Sequence, residues 1–507
     1  MVELSLERAL HRPLEDRNCA IMRHVRIFWQ MEPPSAMPGQ VARLLFAAEK
    51  TMTHIDGAEA EQSASQPKMD ALPVVAYVLL WFPLSSETFI FREVVQLMAR
   101  GLPVRAYTMY GKSLSGCSEE MRKFTGPVER MGVGGTVRIL RAFIRALSRN
   151  PLKVWGLMRK GFFHRMRNME SLGENLWCFM AGFLLAELCV RDGVKLIHSP
   201  WANGPATASW VASRLTGIPF AFTGRAGDIY PEDGLLREKS ADALFIRTNN
   251  HANVSWLRKF CPAGQEYKVH AIYNSLTFTP KGQCAVSMRP PYRLLAVGRF
   301  ARTKGFPDLL SAMARLQREN VPVSLTLVGN GRWRLKLMGM RDRLGLKNIV
   351  HMPGFIPHDQ ICGYMLDHDM LIMPSVVHSN GDRDGIPNVI MEALSHRMPV
   401  IATDVCGISE VIINGETGLL TPQRDPRSLA DAVRHMVEDR EHASSMAEAG
   451  RARVEKMFDR ENNISALLRL YVDESRQYWR TTGGKGSSHA TESSVHAPLG
   501  SGAAGHA

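Results

Sequence analysis

Residues 374–394 read PSVVHSNGDRDGIPNVIMEAL, and the rest of the 507-residue chain is organised around them. The apolar run MLIM (370–373) just ahead has the character of the end of a buried strand. A polar loop follows, then a helix. Pro387 suits the first helical turn, where its missing N–H would be unpaired anyway. Asp384 falls in the loop, and Glu392, eight residues on, falls about two turns further into the helix. The loop and the helix N-terminus offer free N–H groups and the positive end of a dipole, which suits an anion such as a diphosphate. One carboxylate then lies near a sugar and the other near a second hydroxyl-rich group. Spacing alone leaves a second reading open: Asp384 as a helix cap and Glu392 on a solvent face.

A chain of 507 residues exceeds what one hydrophobic core usually serves, so two domains plus extras are expected. Hydrophobic residues make up 45%, as in ordinary globular proteins. The net charge of +13 and a pI near 9.5 favour an anionic partner: nucleic acid, nucleotide or a membrane surface. No aromatic-basic RNA pattern or helix-turn-helix pattern accompanies that charge, so nucleic acid is not expected. The eight cysteines are scattered without a C-x-x-C pair, which reads as free thiols in a reducing compartment. The charged N-terminus lacks an apolar signal core, and the apolar run 176–190 is short for a membrane span and contains Glu187. A cytoplasmic chain, at most peripheral to the inner face of a membrane, is the expectation.

Taken in order, residues 1–70 mix charges and prolines without a sustained period and are expected to be poorly ordered. VVAYVLLWF (74–82), a helix ending at Gly101 and VRAYTM (104–109) form a βαβ unit that opens a doubly wound domain. The stretch 132–168 is helical in pattern and holds no acidic residue. Arg138, Arg141, Arg145 and Arg149 share one helical face, beside apolar Ile139, Leu140, Phe143, Ile144 and Leu147. Such a helix either lies on an anionic bilayer or packs on its own domain with a solvated face.

VKLIHSPWANGPATASWVASRLTG (194–217) reads as strand, loop and helix, PFAFTGRAGDIY (219–230) as a strand running into a loop, and 242–248 and 267–275 as the last strands of the first domain. The loops at the carboxyl ends of such strands are where open α/β sheets bind ligands. His198 and Asp228 fall in these loops or at strand ends, His198 equally readable as a packed core histidine. A hinge is expected near 277–291. The second domain starts at YRLLAVGRFARTKGF (292–306), where Arg299 and Lys304 flank a tight turn and can converge on a diphosphate. VSLTLVGNG (323–331) is the next strand-to-helix turn; its lone G-x-G around Gly329 is weak on its own but fits a Rossmann-like half.

The segment DGIPNVIME (384–392) and the GR-x4-KG pattern at 298–305 resemble the family-4 retaining glycosyltransferases, of the exopolysaccharide and colanic-acid-biosynthesis type. That signature is an acidic residue, Gly, a short apolar stretch and a Glu eight positions after the first acid. Its first residue is usually Glu; Asp384 is one methylene shorter. The string SSETFI (85–90) resembles a loop of these enzymes that faces the inter-domain cleft, which makes Glu87 and Thr88 candidates on the acceptor or donor side. A helix cap by Ser86 or Thr88 is the other reading of that string. Relatives often read HAHF where this chain has HSPW (198–201), and His where Arg225 stands. Arg225 donates hydrogen bonds but is no general base.

The resemblance, from about Val74 to Arg480, implies an α/β chain of GT-B fold: two Rossmann-like doubly wound domains facing a cleft. It divides the chain into residues 71–280 (acceptor side), 281–465 (nucleotide-sugar side), a crossover helix at 466–480 and a tail at 481–507. It implies retaining transfer of a sugar from a nucleoside-diphosphate sugar to a lipid-linked or oligosaccharide acceptor, without a metal or cofactor. Arg299 and Lys304 would neutralise the leaving diphosphate, Asp384 hold donor-sugar hydroxyls and Glu392 the ribose. Gly385, Ile386, Pro387, Asn388 and Gly329 would complete the donor side, with His198, Arg225 and Asp228 on the acceptor side. The competing reading is a catalytically weak GT-B subunit that binds nucleotide-sugar and membrane.

Overall fold

The computed structural model describes residues 72–162, 172–231, 234–275 and 288–482. The expected N-terminal extension, most of the hinge, the end of the basic stretch and the tail beyond residue 482 lie outside the described residues.

Two parallel sheets organise the chain. The first holds β1 (Val75–Leu79), β2 (Val104–Thr108), β3 (Val128–Arg130), β4 (Leu196–Ser199), β5 (Phe220–Gly224), β6 (Ile246–Thr248) and β7 (Val269–Ala271), in the order β3-β2-β1-β4-β5-β6-β7. The second holds β8 (Tyr292–Val297), β9 (Val323–Val328), β10 (Val350–Gly354), β11 (Met370–Met373), β12 (Val400–Thr403) and β13 (Leu419–Thr421), in the order β10-β9-β8-β11-β12-β13. Every pairing in both sheets is parallel. The central strands are mostly apolar because helices cover both faces: β1, β5, β11 and β12 are buried along their full length. Each sheet runs outward from its first strand and then reverses. That leaves a switch point between β1 and β4, and another between β8 and β11.

The helix Leu172–Arg191 is long and apolar enough to cross a membrane, the one such helix among the described residues. Its side chains Phe179, Phe183, Leu185 and Cys189 are buried in the core of the first domain. It is a core helix, and its apolar character is spent on packing.

The last helix, Arg460–Thr481, starts earlier than the expected 466 and lies against the first domain. Tyr471 meets the Tyr77 hydroxyl at 2.7 Å, and Tyr478 Oη donates to Gly217 O at 3.0 Å. Around Tyr471 runs a buried polar network. Tyr77 Oη donates to Glu93 Oε1 at 3.0 Å, Glu93 pairs with Arg247, and Arg247 Nε donates to Ile272 O at 3.2 Å. Glu93 sits on the apolar face of the helix Thr88–Ala99, among Ile90, Val94 and Leu97.

The basic stretch forms two helices, Thr136–Arg149 and Pro151–Phe162, broken where Pro151 follows Asn150. Its apolar side is split. Ile139 and Ala142 are buried, whereas Leu140, Ile144 and Leu147 are exposed. Arg138 pairs with Glu129 and Arg145 with Glu187, so part of the arginine face is tied to the domain's own carboxylates.

Candidate functional site

The loops after β8 and β11 meet at the second switch point. Gly305 ends the first loop with φ +59°, and a Cβ there would sit 1.7 Å from Pro374 O. No side chain fits that approach. Val376 N donates to Thr303 O at 2.8 Å and fastens the loops together. This places Lys304 Nζ 3.0 Å from Asp384 Oδ2, which also accepts from Ser375 Oγ at 2.6 Å. Beside it Arg302 pairs with Asp382 at 3.5 Å. Burial raises the Asp382 carboxyl while the Arg302 charge pulls it back.

The helix Asn388–Ser395 begins one residue after Pro387, which holds the position before the first turn with φ −62° and ψ 126°. Glu392 is therefore only the fifth helical residue, about one turn in rather than two. Its Oε1 lies 2.8 Å from His358 Nε2. Asp384 does not cap this helix: its carboxylate is committed to Lys304 and Ser375, and the helix has no side-chain cap.

Between the domains lies a cavity of about 390 Å³ lined by strand-end loops of both sheets. From the second domain come Arg299, Thr303 and residues 382–388; from the first come Glu87, Phe89, Trp201, Asn203, residues 225–228, Asn249 and Asn274. Of the sequence candidates, Asp384, Gly385, Ile386, Pro387, Asn388, Arg299, Glu87, Arg225 and Asp228 are brought together here. Lys304 joins through its ion pair with Asp384. Arg299 is exposed and makes no hydrogen bond among the described residues.

Four candidates lie elsewhere. His198 is 0% exposed, packed between Tyr77, Tyr471 and Phe245, and bonded to Thr223 Oγ1 at 3.2 Å. Burial lowers its pKa to about 3, so it stays neutral. It is a core histidine, because its strand is covered on both faces. Thr88 starts its helix outside the cavity lining. Glu392 faces His358. Gly329, at φ +146°, lets the backbone close on Gly298 O, where a Cβ would sit at 1.9 Å.

Arg225, 5% exposed, is sandwiched in the first-domain wall: its guanidinium carbon is 4.3 Å from the Phe89 ring centre and 5.5 Å from that of Trp201. It donates to Pro200 O at 3.2 Å and to Asn274 Oδ1 at 2.9 Å. Burial, with the Arg247 charge, lowers its pKa to about 10, and it remains cationic. The Asp228 carboxylate accepts from Ala202 N at 2.7 Å and Arg225 N at 2.8 Å, tying the loops after β4 and β5. Burial still lifts it to about 6. Glu87 takes the position before the first turn of its helix but makes no capping bond, and neither Ser86 nor Thr88 caps it. Burial pushes its carboxyl up to about 7, against the pull of Trp201 and Arg225.

Phe89, Trp201, Asn203, Asn249 and Asn274 went unmarked in the sequence. Their shared property is a place just past a strand or helix boundary on the cleft side, which the rule for open α/β sheets identifies only once the strands are located. Arg383 stacks at 4.0 Å on Tyr230 of the opposite domain, a further contact across the cleft.

Two sheets in this order, facing one another across such a cavity, are the GT-B fold. The profile of the family described as glycosyl transferases group 1 matches residues 288–453, which include Arg299, Lys304, Asp384 and Glu392. The chain carries a group 1 glycosyl transferase domain. Among its relatives is WcaL of Escherichia coli (strain K12), named as a candidate colanic acid biosynthesis glycosyltransferase. It is 24% identical over 417 residues, 78% of this chain and 99% of that protein. The amylovoran biosynthesis glycosyltransferase AmsK of Erwinia amylovora is 28% identical over 34% of this chain and 42% of its own length. Among solved structures, Anabaena HepE in complex with UDP and glucose superposes with a TM-score of 0.58 at 16% identity, over 79% of this chain and 99% of that one. Sucrose-phosphate synthase of Thermosynechococcus elongatus gives 0.60 at 19% identity, over 81% and 100%. Outside the group 1 domain, the first half supplies the other wall of the cavity.

Proposed function

We propose that the chain transfers a sugar, with retention, from a nucleoside-diphosphate sugar to a lipid-linked or oligosaccharide acceptor in the assembly of an exopolysaccharide or other surface polysaccharide. The observation that carries this reading is the convergence of Arg299, the Lys304–Asp384 pair and the backbone of 385–388 on one cavity at the carboxyl ends of both sheets. Arg299 and Lys304 meet the negative charge of the departing diphosphate without a metal, and the start of the helix Asn388–Ser395 adds its dipole. Lys304 is held by Asp384 at rest; a diphosphate draws it away and leaves the Asp384 carboxylate to accept from sugar hydroxyls. Glu392, two half-turns behind Asn388, accepts from the ribose and exchanges its His358 partner to do so. The diphosphate takes the acceptor proton on the attacked face, so the permanently charged Arg225 need not act as a base. Relatives named for colanic acid and amylovoran biosynthesis, and a structural neighbour solved with UDP and glucose, support donor and pathway class alike. A cytoplasmic location follows from the same reading.

A second reading is favoured by Arg225 and Pro200 standing where relatives often carry histidines: a catalytically weak subunit that binds nucleotide-sugar in an assembly. The two are separated in sequence. A thermal-shift screen of nucleoside-diphosphate sugars identifies the donor, because a ligand of the folded state alone raises the melting temperature. Nucleotide release is then measured with a lipid-linked acceptor. Turnover supports the transferase; a donor-induced shift without turnover supports the subunit; no shift with any donor overturns both.

A further inference from the structure

The helices Thr136–Arg149 and Pro151–Phe162 present a surface that the donor site leaves unexplained. Around the first helix, residues fall into three sectors. Ile139 and Ala142 point into the domain, with Phe143 and Ala146 partly buried beside them. Arg138, Arg141, Arg145 and Arg149 take the second sector. Val137, Leu140, Ile144 and Leu147, spaced by three, four and three, form the third, with Leu140 52% and Ile144 54% exposed. On the second helix Leu152 is 84% and Trp155 62% exposed. This is an apolar row facing water, and soluble surfaces rarely carry one without a partner.

The surrounding charge says what the partner is. Residues 131–162 contain seven Lys and Arg (Arg138, Arg141, Arg145, Arg149, Lys153, Arg159 and Lys160) and no Asp or Glu. Arg138 and Arg145 have carboxylate partners on neighbouring elements, while Arg141 and Arg149 have none among the described residues. A second copy of the chain would set this cationic surface against itself, which opposes a symmetric pair. A phosphate backbone would satisfy the cations and leave four aliphatic side chains in water. An anionic bilayer satisfies both: the aliphatic row and Trp155 enter the interfacial region, and the guanidinium and ammonium groups meet lipid phosphates.

We propose that the exposed faces of the helices Thr136–Arg149 and Pro151–Phe162 dock the chain on an anionic lipid surface. This stands apart from the donor reading, since vesicle binding needs no turnover. The full chain is sedimented with vesicles of phosphatidylcholine, and of phosphatidylcholine mixed with phosphatidylglycerol. Sedimentation with the mixed vesicles only, weakening as salt is raised, is expected. Changing Leu140→Ser with Ile144→Ser, or Arg141→Glu with Arg149→Glu, lowers that binding by roughly tenfold or more. Leu335→Ser, an equally exposed apolar residue of the second domain, leaves it unchanged. All these positions are exposed, so melting temperatures stay at the wild-type value. Should a double variant unfold, Leu152→Ser alone reports the same loss. Equal binding to neutral vesicles, or undiminished binding by both double variants, overturns the proposal. So does a dimer that the Leu140 and Ile144 changes split while vesicle binding persists.

Discussion

Lys304 Nζ lies 3.0 Å from Asp384 Oδ2, an ion pair joining the loops after β8 and β11 with both side chains mostly shielded from water. The two charges neutralise one another across the pair; in the proposed reaction each partner turns to a different part of the donor. Lys304→Met removes a charge needed most when the diphosphate departs. The expected outcome is a fall in kcat of roughly 10²–10³ with a smaller change in KM, as for other lost charge-stabilising donors. Nucleotide release under saturating donor checks it. An equal rise in KM with kcat unchanged would show that Lys304 only helps binding.

Glu87 makes stability depend on pH in a direction opposite to a salt-bridged carboxylate. Its carboxyl is raised from 4.5 to about 7 by burial. Between those values the folded chain holds a proton that the unfolded chain has released. Stability therefore falls as pH rises through the window, and the cost is fully present above about pH 7. Glu87→Gln carries no such cost. Its stability relative to wild type should be near zero at pH 4.5 and reach on the order of 2–3 kcal/mol by pH 8. Buried His198 has the reverse sign: stability is lost as pH falls below 6.5 towards its folded value of about 3. Subtracting wild-type from variant melting curves cancels the histidine and isolates Glu87. A difference independent of pH would show that Glu87 titrates normally.

The sheets were legible because both rest on a simple regularity. Apolar runs such as 370–373 are ended by Gly, Pro or polar loops, and short runs bounded in that way read as strands buried on both faces. The second-domain wall of the cavity was legible too, since Arg299, Lys304 and Asp384 lie within short signatures. What the sequence hid depended on which side of an element faces inward. His198, at a strand end, looked able to reach the cleft, and its covered sheet turned it into core. Glu392 took His358 as a partner from a helix 34 residues earlier, which no local pattern encodes. The basic helix could not reveal that its apolar side splits into a buried half and an exposed half. Glu93, within FREVVQ, went unmarked although it is an anomaly: a carboxylate at a position where the helical period demands an apolar residue.

That anomaly makes a stability prediction. Glu93 and Arg247 form an ion pair with almost no exposure, further bonded to Tyr77 and to Ile272 O. Burial alone would neutralise Glu93, and the Arg247 charge overcomes it to hold the carboxyl below its usual range. Glu93→Ala leaves the guanidinium buried and uncompensated, costing about 3–5 kcal/mol in chemical denaturation. Changing Glu93 and Arg247 together to Met should recover most of that loss, because the expense lies in the unpaired charge and not in the missing pair. A double variant as unstable as Glu93→Ala would contradict this.

Glu410 reaches across the cleft and serves as a cap for a helix of the other domain. Its Oε1 accepts from His251 N at 2.8 Å and Ala252 N at 3.1 Å, the first two donors of the helix His251–Leu257. The third is taken within the first domain, by the Asn250 side chain accepting from Asn253 N at 2.7 Å. Glu410 Oε2 accepts from Tyr273 Oη at 2.8 Å, while its own carbonyl is gripped by Arg453 at 2.9 and 2.7 Å. The helix is thus fully capped only while the domains keep this spacing. Glu410→Ala should cost about 1–2 kcal/mol of stability. Its larger effect should be a raised KM for the donor, since the cavity walls belong to different domains and lose their shared fastening. Glu410→Gln keeps one acceptor oxygen and should fall between. Small-angle scattering of the unliganded chain would show a larger radius of gyration for the Ala variant. An unchanged radius and KM would mean that the remaining contacts, such as Arg383 on Tyr230, hold the domains unaided.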